Sequence, residues 1–257
     1  MKIPLNRDVL RNIAQAPRIL FAKRTVRRAT WPFEIDLQSY DAAAFERIIP
    51  AMQDVEKRLL LVPPDRAGMR WIHEPQSVLF HGERAFDLPY EEFVRRVDIS
   101  HAGEFYRDTL SSDTKVVEQD AEGKPVRQGV RVVALPQPNY AAFLGKGILD
   151  VYKLEKIDYL DREQRIWMWT VHSPNGSAVC DDGYLKFSRL SDHRTLVAFL
   201  ACQSFPIPPL MALARLDRWN WLKQTLTESA YRWFFNSMMA NIIARYHGRN
   251  FRVGRDP

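Results

Sequence analysis

The chain has 257 residues, of which 46% are hydrophobic and 26% charged, a composition typical of a folded globular protein and not of a disordered one. No run approaches the roughly 18 uncharged apolar residues that a membrane-spanning helix needs. The two cysteines, Cys180 and Cys202, are too few for a disulfide framework, and neither has a neighbour at metal-ligand spacing. We therefore expect a protein of a reducing, cytoplasmic compartment that uses no metal and no cofactor.

The net charge of +6 is concentrated at the N-terminus. Residues 1–28 carry eight basic side chains and one acidic one, so the rest of the chain sums to −1. Apolar residues lie among these charges, as in Ile19-Leu20-Phe21, and such interleaving suits the interface of an anionic membrane, where the protein would be peripheral. The alternatives are a solvated segment whose apolar residues pack on the protein, and a nucleic-acid-binding arm, which we do not expect. The candidates for membrane contact are Arg18, Lys23, Arg24, Arg27 and Arg28.

The N-terminal third of the chain has helical patterning. Apolar residues recur at helix spacing before Pro17 and again after Ser39, which is suited to an N-cap. Pro50 is expected to kink the second helix or to begin a new one, and the pair Pro63-Pro64 to end it. We interpret residues 1–76 as a basic helical extension that packs on the main domain.

From residue 77 to 257 the patterns predict one domain built on an antiparallel sheet. A first strand, Val78–Phe86, precedes two short helical patterns. Tight turns then separate six further strands, and the pair Asn175-Gly176 is typical of such a turn. These strands are predicted over residues 114–119, 126–134, 148–160, 165–172, 184–190 and 195–203.

The end of the domain is predicted to be one long helix. It begins at Thr225 or Thr227 and carries an aromatic face that ends at Tyr246. About 22 residues at 1.5 Å rise give roughly 33 Å, which is enough to cross the full width of a sheet.

The order of one strand, two short helices, six antiparallel strands and a long helix resembles the START-like, or helix-grip (SRPBCC), superfamily, which includes the plant Bet v 1 proteins. The stretch most similar in texture is Gly183–Leu190 followed by Thr195–Phe199, and the resemblance covers residues 77–248. It implies an α+β helix-grip fold, in which a curved sheet of about seven strands wraps around the C-terminal helix and encloses a cavity. It further implies the binding of a lipid, a sterol or a similar apolar molecule, and in some members the cyclisation or dehydration of a polyketide.

Both faces of the sheet are predicted to be covered. On the strand from Ile166 to Val171, period two places Trp167 and Trp169 on one face and Met168 on the other, so that both faces are apolar. An open antiparallel sheet with one solvated face would alternate apolar and polar residues. We expect the N-terminal helices, or a second subunit in a homodimer, to cover the outer face.

The walls of the predicted pocket come from the inner face and from the aromatic stripe of the C-terminal helix. A filled core explains most such stripes, whereas the fold resemblance favours an open space, and the abundance of Trp and Met suits an adaptable apolar site. The candidate ligand-binding residues are Trp167, Trp169, Phe199, Tyr231, Phe234, Phe235 and Met238.

Residues for catalysis are few. His172 lies at the end of the Asn-Gly hairpin, where strand pairing would bring it near Asp181, and such a pair could serve as an acid and a base. His101 and Arg107, near the second short helix, form another polar group. In both places a solvated surface is the alternative. The sequence has no nucleophile elbow and no phosphate-binding loop. We therefore expect a carrier of an apolar molecule, with a polyketide cyclase or dehydratase as the alternative.

Overall fold

The computed structural model describes residues 7–21, 24–25, 42–75, 77–106, 109–136, 139–204, 207–215, 218–249 and 252–253. These residues form five α-helices: α1 (Arg7–Phe21), α2 (Ala42–Leu60), α3 (Tyr90–Arg96), α4 (Pro209–Leu213) and α5 (Asn220–Tyr246). They form ten strands: β1 (Arg24–Thr25), β2 (Met69–His73), β3 (Val78–Phe86), β4 (Thr109–Gln119), β5 (Pro125–Ala134), β6 (Leu149–Leu160), β7 (Glu163–His172), β8 (Cys180–Ser191), β9 (Arg194–Ser204) and β10 (Arg252–Val253). Two 3-10 helices span Ile99–Glu104 and Asn139–Leu144.

Eight of the strands form one sheet in the order β2-β3-β9-β8-β7-β6-β5-β4, and every pair is antiparallel. The short strands β1 and β10 pair separately. Two of the tight turns need residues with positive φ, and glycine supplies them, at Gly123 between β4 and β5 and at Gly176 between β7 and β8. The predicted α+β helix-grip fold, with an antiparallel sheet and a long C-terminal helix, is confirmed.

The elements differ from the prediction at their ends. The sheet has an additional edge strand, β2, in residues for which we predicted no strand, and β2 pairs with β3 over five residues. The sheet therefore begins before residue 76, where we placed the boundary of the extension. α5 begins at Asn220, earlier than predicted, and α1 continues through Pro17.

The outer face of the sheet is covered by α2. Phe45, Met52 and Leu59 of this helix pack against side chains that alternate along the strands, among them Leu154, Trp167, Tyr184, Ala198 and Leu200. Full burial of one such aliphatic side chain stabilises the fold by about 1.5–3 kcal/mol, so α2 is an integral layer of the fold.

The inner face is covered by α5 and α3. Phe235 and Met238 of α5 are fully buried against the aromatic residues of β3 and β9. At Gly82 of β3 a Cβ atom would lie 3.0 Å from Cε2 of Phe235, so glycine permits the close approach of helix and sheet. The molecule is thus a sheet between two helical layers.

Candidate functional site

A small cavity lies at one end of the inner face, between the sheet and α5. Its volume is about 20 Å³, enough for roughly one water molecule. The strands are antiparallel, so the end of β5, the start of β6, the start of β8 and the end of β9 all meet at this end of the sheet. The cavity is lined by Tyr106, Val132, Ala134, Leu149, Val151, Lys153, Asp181, Gln203 and Phe234.

A buried ion pair forms the polar wall of the cavity. Lys153 of β6 is only 3% exposed, and its Nζ donates a hydrogen bond to Oδ2 of Asp181 on β8. Thr170 of β7 lies between them and donates from Oγ1 to the Asp181 carbonyl at 3.0 Å. Burial by itself lowers the pKa of Lys153, but the attraction and hydrogen bond of Asp181, together with Tyr106 and Asp182, outweigh it and raise the pKa above its ordinary value. Lys153 is therefore charged at neutral pH.

The side chain of Gln203 on β9 leaves one acceptor unused. Its Nε2 donates to Oδ1 of Asp181, which fixes the orientation of the amide because a carboxylate only accepts. Its Oε1 is buried and has no hydrogen-bond partner among the residues that the structure describes. Gln203 is 6% exposed and lines the cavity. A buried acceptor without a partner costs about 1–3 kcal/mol, so this position favours an occupant that donates a hydrogen bond.

Tyr106 supplies a hydroxyl whose present partner is weak. Its hydroxyl donates to Sδ of Met168 at 3.4 Å, and a thioether is a poor acceptor. Burial raises the pKa of Tyr106, so the phenol stays protonated and remains a donor.

Two further titratable groups lie close to the ion pair. Glu155 follows Lys153 on the same face of β6 and accepts from Nε2 of Gln128 at 2.6 Å. Burial raises the pKa of Glu155 to about 7, although Gln128 and Lys153 oppose the change. Lys146 follows the second 3-10 helix, and burial lowers its pKa to about 8 against the attraction of Asp181. Both groups can exchange protons near neutral pH.

In the part of the chain that the structure describes, the polar wall of the cavity contains one acceptor without a donor and one hydroxyl with a weak acceptor. Lys153 and Asp181 neutralise each other. Oε1 of Gln203 has no donor among the described residues, and the Tyr106 hydroxyl could donate to a better acceptor than the sulfur of Met168. A hydroxyl group is both a donor and an acceptor. The remaining wall is apolar, made by Val132, Ala134, Leu149, Val151 and Phe234. The site can therefore hold one hydroxyl of a molecule that is otherwise apolar.

Five of the predicted pocket residues face the interior between sheet and α5. Phe234 lines the cavity. The other four belong to the packed core, where the ring of Phe199 lies 5.7 Å from that of Phe234 and Tyr231 stacks on Phe80 at 4.9 Å. Phe235 and Met238 are buried in the same cluster. Their contact with a ligand stays a prediction.

The prediction that Trp167 and Trp169 line the pocket is wrong. The register of β7 directs Ile166 and Met168 toward α5 and both tryptophans toward α2. The Trp169 ring lies edge-on to Phe45 of α2, with the centroids 6.5 Å apart. Strand periodicity separates two faces but does not say which face the C-terminal helix covers.

Two of the three predicted catalytic residues, His101 and His172, are not among the residues that line the cavity. His172 is exposed at the end of β7, with its ring 6.0 Å from that of Tyr152. His101 lies in the first 3-10 helix between two carboxylates, with Nε2 3.6 Å from Asp98 and Nδ1 3.7 Å from Glu104. Arg107 lies outside the described residues.

The predicted membrane-contact residues lie in the part of the chain whose side chains the structure does not describe. Arg18 belongs to α1 and Arg24 to β1, but the positions of their side chains are not described. Lys23, Arg27 and Arg28 lie outside the described residues altogether. Membrane contact through this segment stays a prediction. In the described ranges no helix is long and apolar enough to cross a membrane.

Sequence reasoning missed Lys153 and Gln203, and it considered Asp181 only as a partner of His172. A signal for Lys153 was present, because on β6 it is in phase with Val151 and Ile157, both buried. A charged residue in phase with buried apolar ones must be paired, and pairing usually has a reason. The identity of the partner could not be read, since Asp181 lies 28 positions further along the chain.

Comparison by sequence identifies no relatives, because no family model matches the chain and no curated protein matches it. Among solved structures, a protein of Thermus thermophilus is 16% identical, with a TM-score of 0.46 over 65% of this chain and 96% of that one. Human StAR-related lipid transfer protein 5 is 13% identical, with a TM-score of 0.48 over 79% and 98% of the two chains. The Zhui aromatase/cyclase from a Streptomyces species is 12% identical, with a TM-score of 0.42 over 69% and 95%.

The names of these neighbours include a human StAR-related lipid transfer protein and an aromatase/cyclase, and this chain is similar to them in structure. Identities of 16% or less with TM-scores below 0.5 are too low to transfer a ligand or an activity to this chain.

Proposed function

We propose that this protein binds a small, largely apolar molecule by a hydroxyl group, in the cavity between the sheet and α5. The observation that carries the proposal is the unpaired Oε1 of Gln203 beside the hydroxyl of Tyr106, at the polar end of an otherwise apolar wall. A sterol or a long-chain alcohol has this combination of groups.

Binding requires the cavity to enlarge, because about 20 Å³ holds only one water molecule. The segment suited to move is the start of α5 together with α4. The buried residues of α5 begin at Phe234, and α4 has none. Segments with few buried contacts open at low free-energy cost, so we assign access to this end of the molecule.

Transfer of the ligand to and from a membrane is the finer part of the proposal. Trp219 and Trp221, at the start of α5, are 54% and 65% exposed and stack on each other with centroids 6.4 Å apart. Arg215 and Arg218 are exposed beside them. Exposed tryptophans beside cations suit the interface of an anionic membrane.

The first experiment is organic extraction and mass spectrometry of the purified protein, with titration of the fluorescent sterol dehydroergosterol. We expect a co-purified apolar molecule that carries a hydroxyl, and saturable sterol binding. Gln203→Leu should weaken binding about tenfold, since a lost hydrogen bond to a buried group is worth about 1–3 kcal/mol. Ala134→Phe, which fills the cavity, should abolish it.

The matched control is Val179→Phe, which adds the same ring at an exposed position and should leave sterol binding unchanged. Absence of any co-purified molecule, together with no binding of the sterol, would contradict the proposal. For the membrane part, the double variant Trp219→Ala/Trp221→Ala should lose binding to phosphatidylserine vesicles while it keeps sterol affinity.

A second candidate function is a cyclase or dehydratase reaction in the same cavity. The observation that favours it is the raised pKa of Glu155, about 7, next to the cavity residue Lys153, because a carboxyl group that titrates near neutral pH can give or take a proton. Extracts of the wild type and of Glu155→Gln separate the two functions. An enzyme would accumulate a different molecule in the variant, whereas a carrier would hold the same one.

A further inference from the structure

The two cysteines of the chain lie side by side on neighbouring strands. Cys180 begins β8 and Cys202 lies near the end of β9, and their Sγ atoms are 3.9 Å apart. Cys180 is paired with Ser204 and Cys202 with Asp182, so the two thiols are diagonal neighbours. Within the described residues no group of three or more ligating side chains forms a metal site, so a zinc interpretation of the pair is not favoured.

Hydrogen bonds distinguish the two thiols. The single S–H of Cys180 can donate to the Cys202 carbonyl at 3.2 Å, to Oδ2 of Asp182 at 3.3 Å or to Sγ of Cys202 at 3.9 Å. The hydrogen bond from Cys180 lowers the pKa of Cys202, whereas the same contact, with burial and Asp182, raises the pKa of Cys180. The thiolate is the reactive form of cysteine, and Cys202 holds it more readily.

We propose that Cys180 and Cys202 form a reversible intramolecular disulfide when a hydroperoxide oxidises the protein. The Cys202 thiolate attacks the peroxide, the O–O bond breaks, and an alcohol or water leaves as Cys202 becomes a sulfenic acid. The Cys180 thiol then attacks that sulfur, and the hydroxyl leaves with the thiol proton as water. Two electrons pass from the two sulfurs to the peroxide, and a dithiol reductant reverses the reaction.

The geometry requires only a local change. The sulfurs must approach from 3.9 Å to about 2 Å. Because diagonal neighbours on paired strands are about 7–8 Å apart and the Cα atoms of a disulfide are usually about 4.4–6.8 Å apart, the ends of β8 and β9 must also move toward each other. Both cysteines are half-buried, so a small hydroperoxide can reach them. Disulfides in a reducing compartment are transient ones of this kind.

The bond would lie directly behind the cavity. Asp181 follows Cys180 and Gln203 follows Cys202, and their side chains line the cavity on the opposite face of the sheet. A disulfide between β8 and β9 at this point would fix the distance between Asp181 and Gln203. The oxidation chemistry itself does not depend on what the cavity binds.

The test is titration of the full-length protein with hydrogen peroxide at low micromolar protein concentration, followed by intact mass spectrometry and thiol counting. We expect the monomer to lose two hydrogens and both thiols, and dithiothreitol to restore them. Disulfide-linked dimers, or sulfinic acids at the two cysteines without loss of the hydrogen pair, would overturn the proposal.

Two matched variants test the order of the steps. In Cys180→Ser the reaction stops at Cys202, so dimedone should trap a sulfenic acid there. In Cys202→Ser the contact with the Cys202 thiol is gone, but burial and Asp182 still raise the pKa of the Cys180 thiol, which should react at least about tenfold more slowly. Equal reactivity of the two variants, both verified as folded by circular dichroism, would overturn the assignment of Cys202 as the attacking thiol.

Discussion

The two faces of the sheet are built from the same strands and are both buried under a helix, yet they differ in their polar residues. Under α2 the outer face is an apolar cluster that extends from Phe45 to Leu200, and its ion pairs, such as Arg165 with Glu163, lie at partly exposed positions. Under α5 the inner face is aromatic but ends in the ion pair of Lys153, whose side chain is 3% exposed, with Asp181, whose side chain is 13% exposed.

The difference has an energetic meaning. A buried ion pair is weak as a source of stability, because desolvation offsets the attraction, and apolar residues of similar volume often stabilise a fold as well or better. The outer face shows that this sheet can be covered without such a pair. Stability alone therefore does not account for Lys153 and Asp181, which supports a binding role for the inner face.

The largest expected effect is the difference in stability lost when each of the two ion pairs is broken. Asp181→Ala leaves Lys153 buried without its partner and should lower the free energy of unfolding by about 3–5 kcal/mol in urea titrations. Glu163→Ala, which removes a partly exposed partner of Arg165 on the outer face, should cost less than about 1 kcal/mol. Equal losses would remove the distinction between the faces. The double variant Lys153→Met/Asp181→Leu should recover most of the stability.

The buried Glu155 on the inner face should make the free energy of unfolding depend on pH. Burial raises its pKa from 4.5 to about 7, so the folded protein keeps a proton that the unfolded chain has lost. Stability from this group is therefore present below pH 4.5 and is lost as the pH rises through about 7. Glu155→Gln should be more stable than the wild type by about 3 kcal/mol at pH 8 and nearly equal to it at about pH 4. A constant difference at both pH values would contradict the assignment.

The contribution of α2 can be measured with adjacent residues. Leu59 is fully buried under the sheet, whereas Leu60 is half exposed. Leu59→Ala should cost about 3 kcal/mol, and Leu60→Ala less than about 0.5 kcal/mol. If both changes prove small, α2 is not part of the cooperative unit, and the outer face differs from the inner one more than the structure indicates.

The smallest expected effect comes from the outer face, where stability should change with pH in the opposite direction to that caused by Glu155. His81 is buried under α2, and burial lowers its pKa. Glu83 and Glu56 each raise the pKa by less than burial lowers it, and Arg70 and Lys186 lower it further. The unfolded chain binds the proton more readily, so stability should fall as the pH drops below about 6.5. Comparison of Glu155→Gln with Glu155→Gln/His81→Gln between about pH 5 and 7 isolates this slope. Persistence of the slope in the double variant would assign it to another group.

Several elements could be predicted because their causes are local. The aromatic stripe that ends at Tyr246 predicted α5, and the pair Asn175-Gly176 predicted the hairpin between β7 and β8. The edge strand β2 was missed, since its five residues become a strand only by pairing with β3.

The candidate site was predicted only in part. The interior between sheet and helix was expected, and Phe234 lines its cavity. Trp167 and Trp169 were assigned to the wrong face, because a period of two is symmetric with respect to the two sides of a strand. Asp181 was considered only as a partner of His172, whereas the structure pairs it with Lys153.

The sequence by itself determined the order of the elements, the apolar character of both faces and the concentration of positive charge in residues 1–28. Periodicity, turn residues and composition are properties of neighbouring positions, so they can be recognised in the sequence alone. Tertiary structure decided which helix covers which face, and it brought Lys153, Asp181, Gln203 and the two cysteines together. Those contacts join positions about 20 or more residues apart, and only strand register and helix packing set such distances.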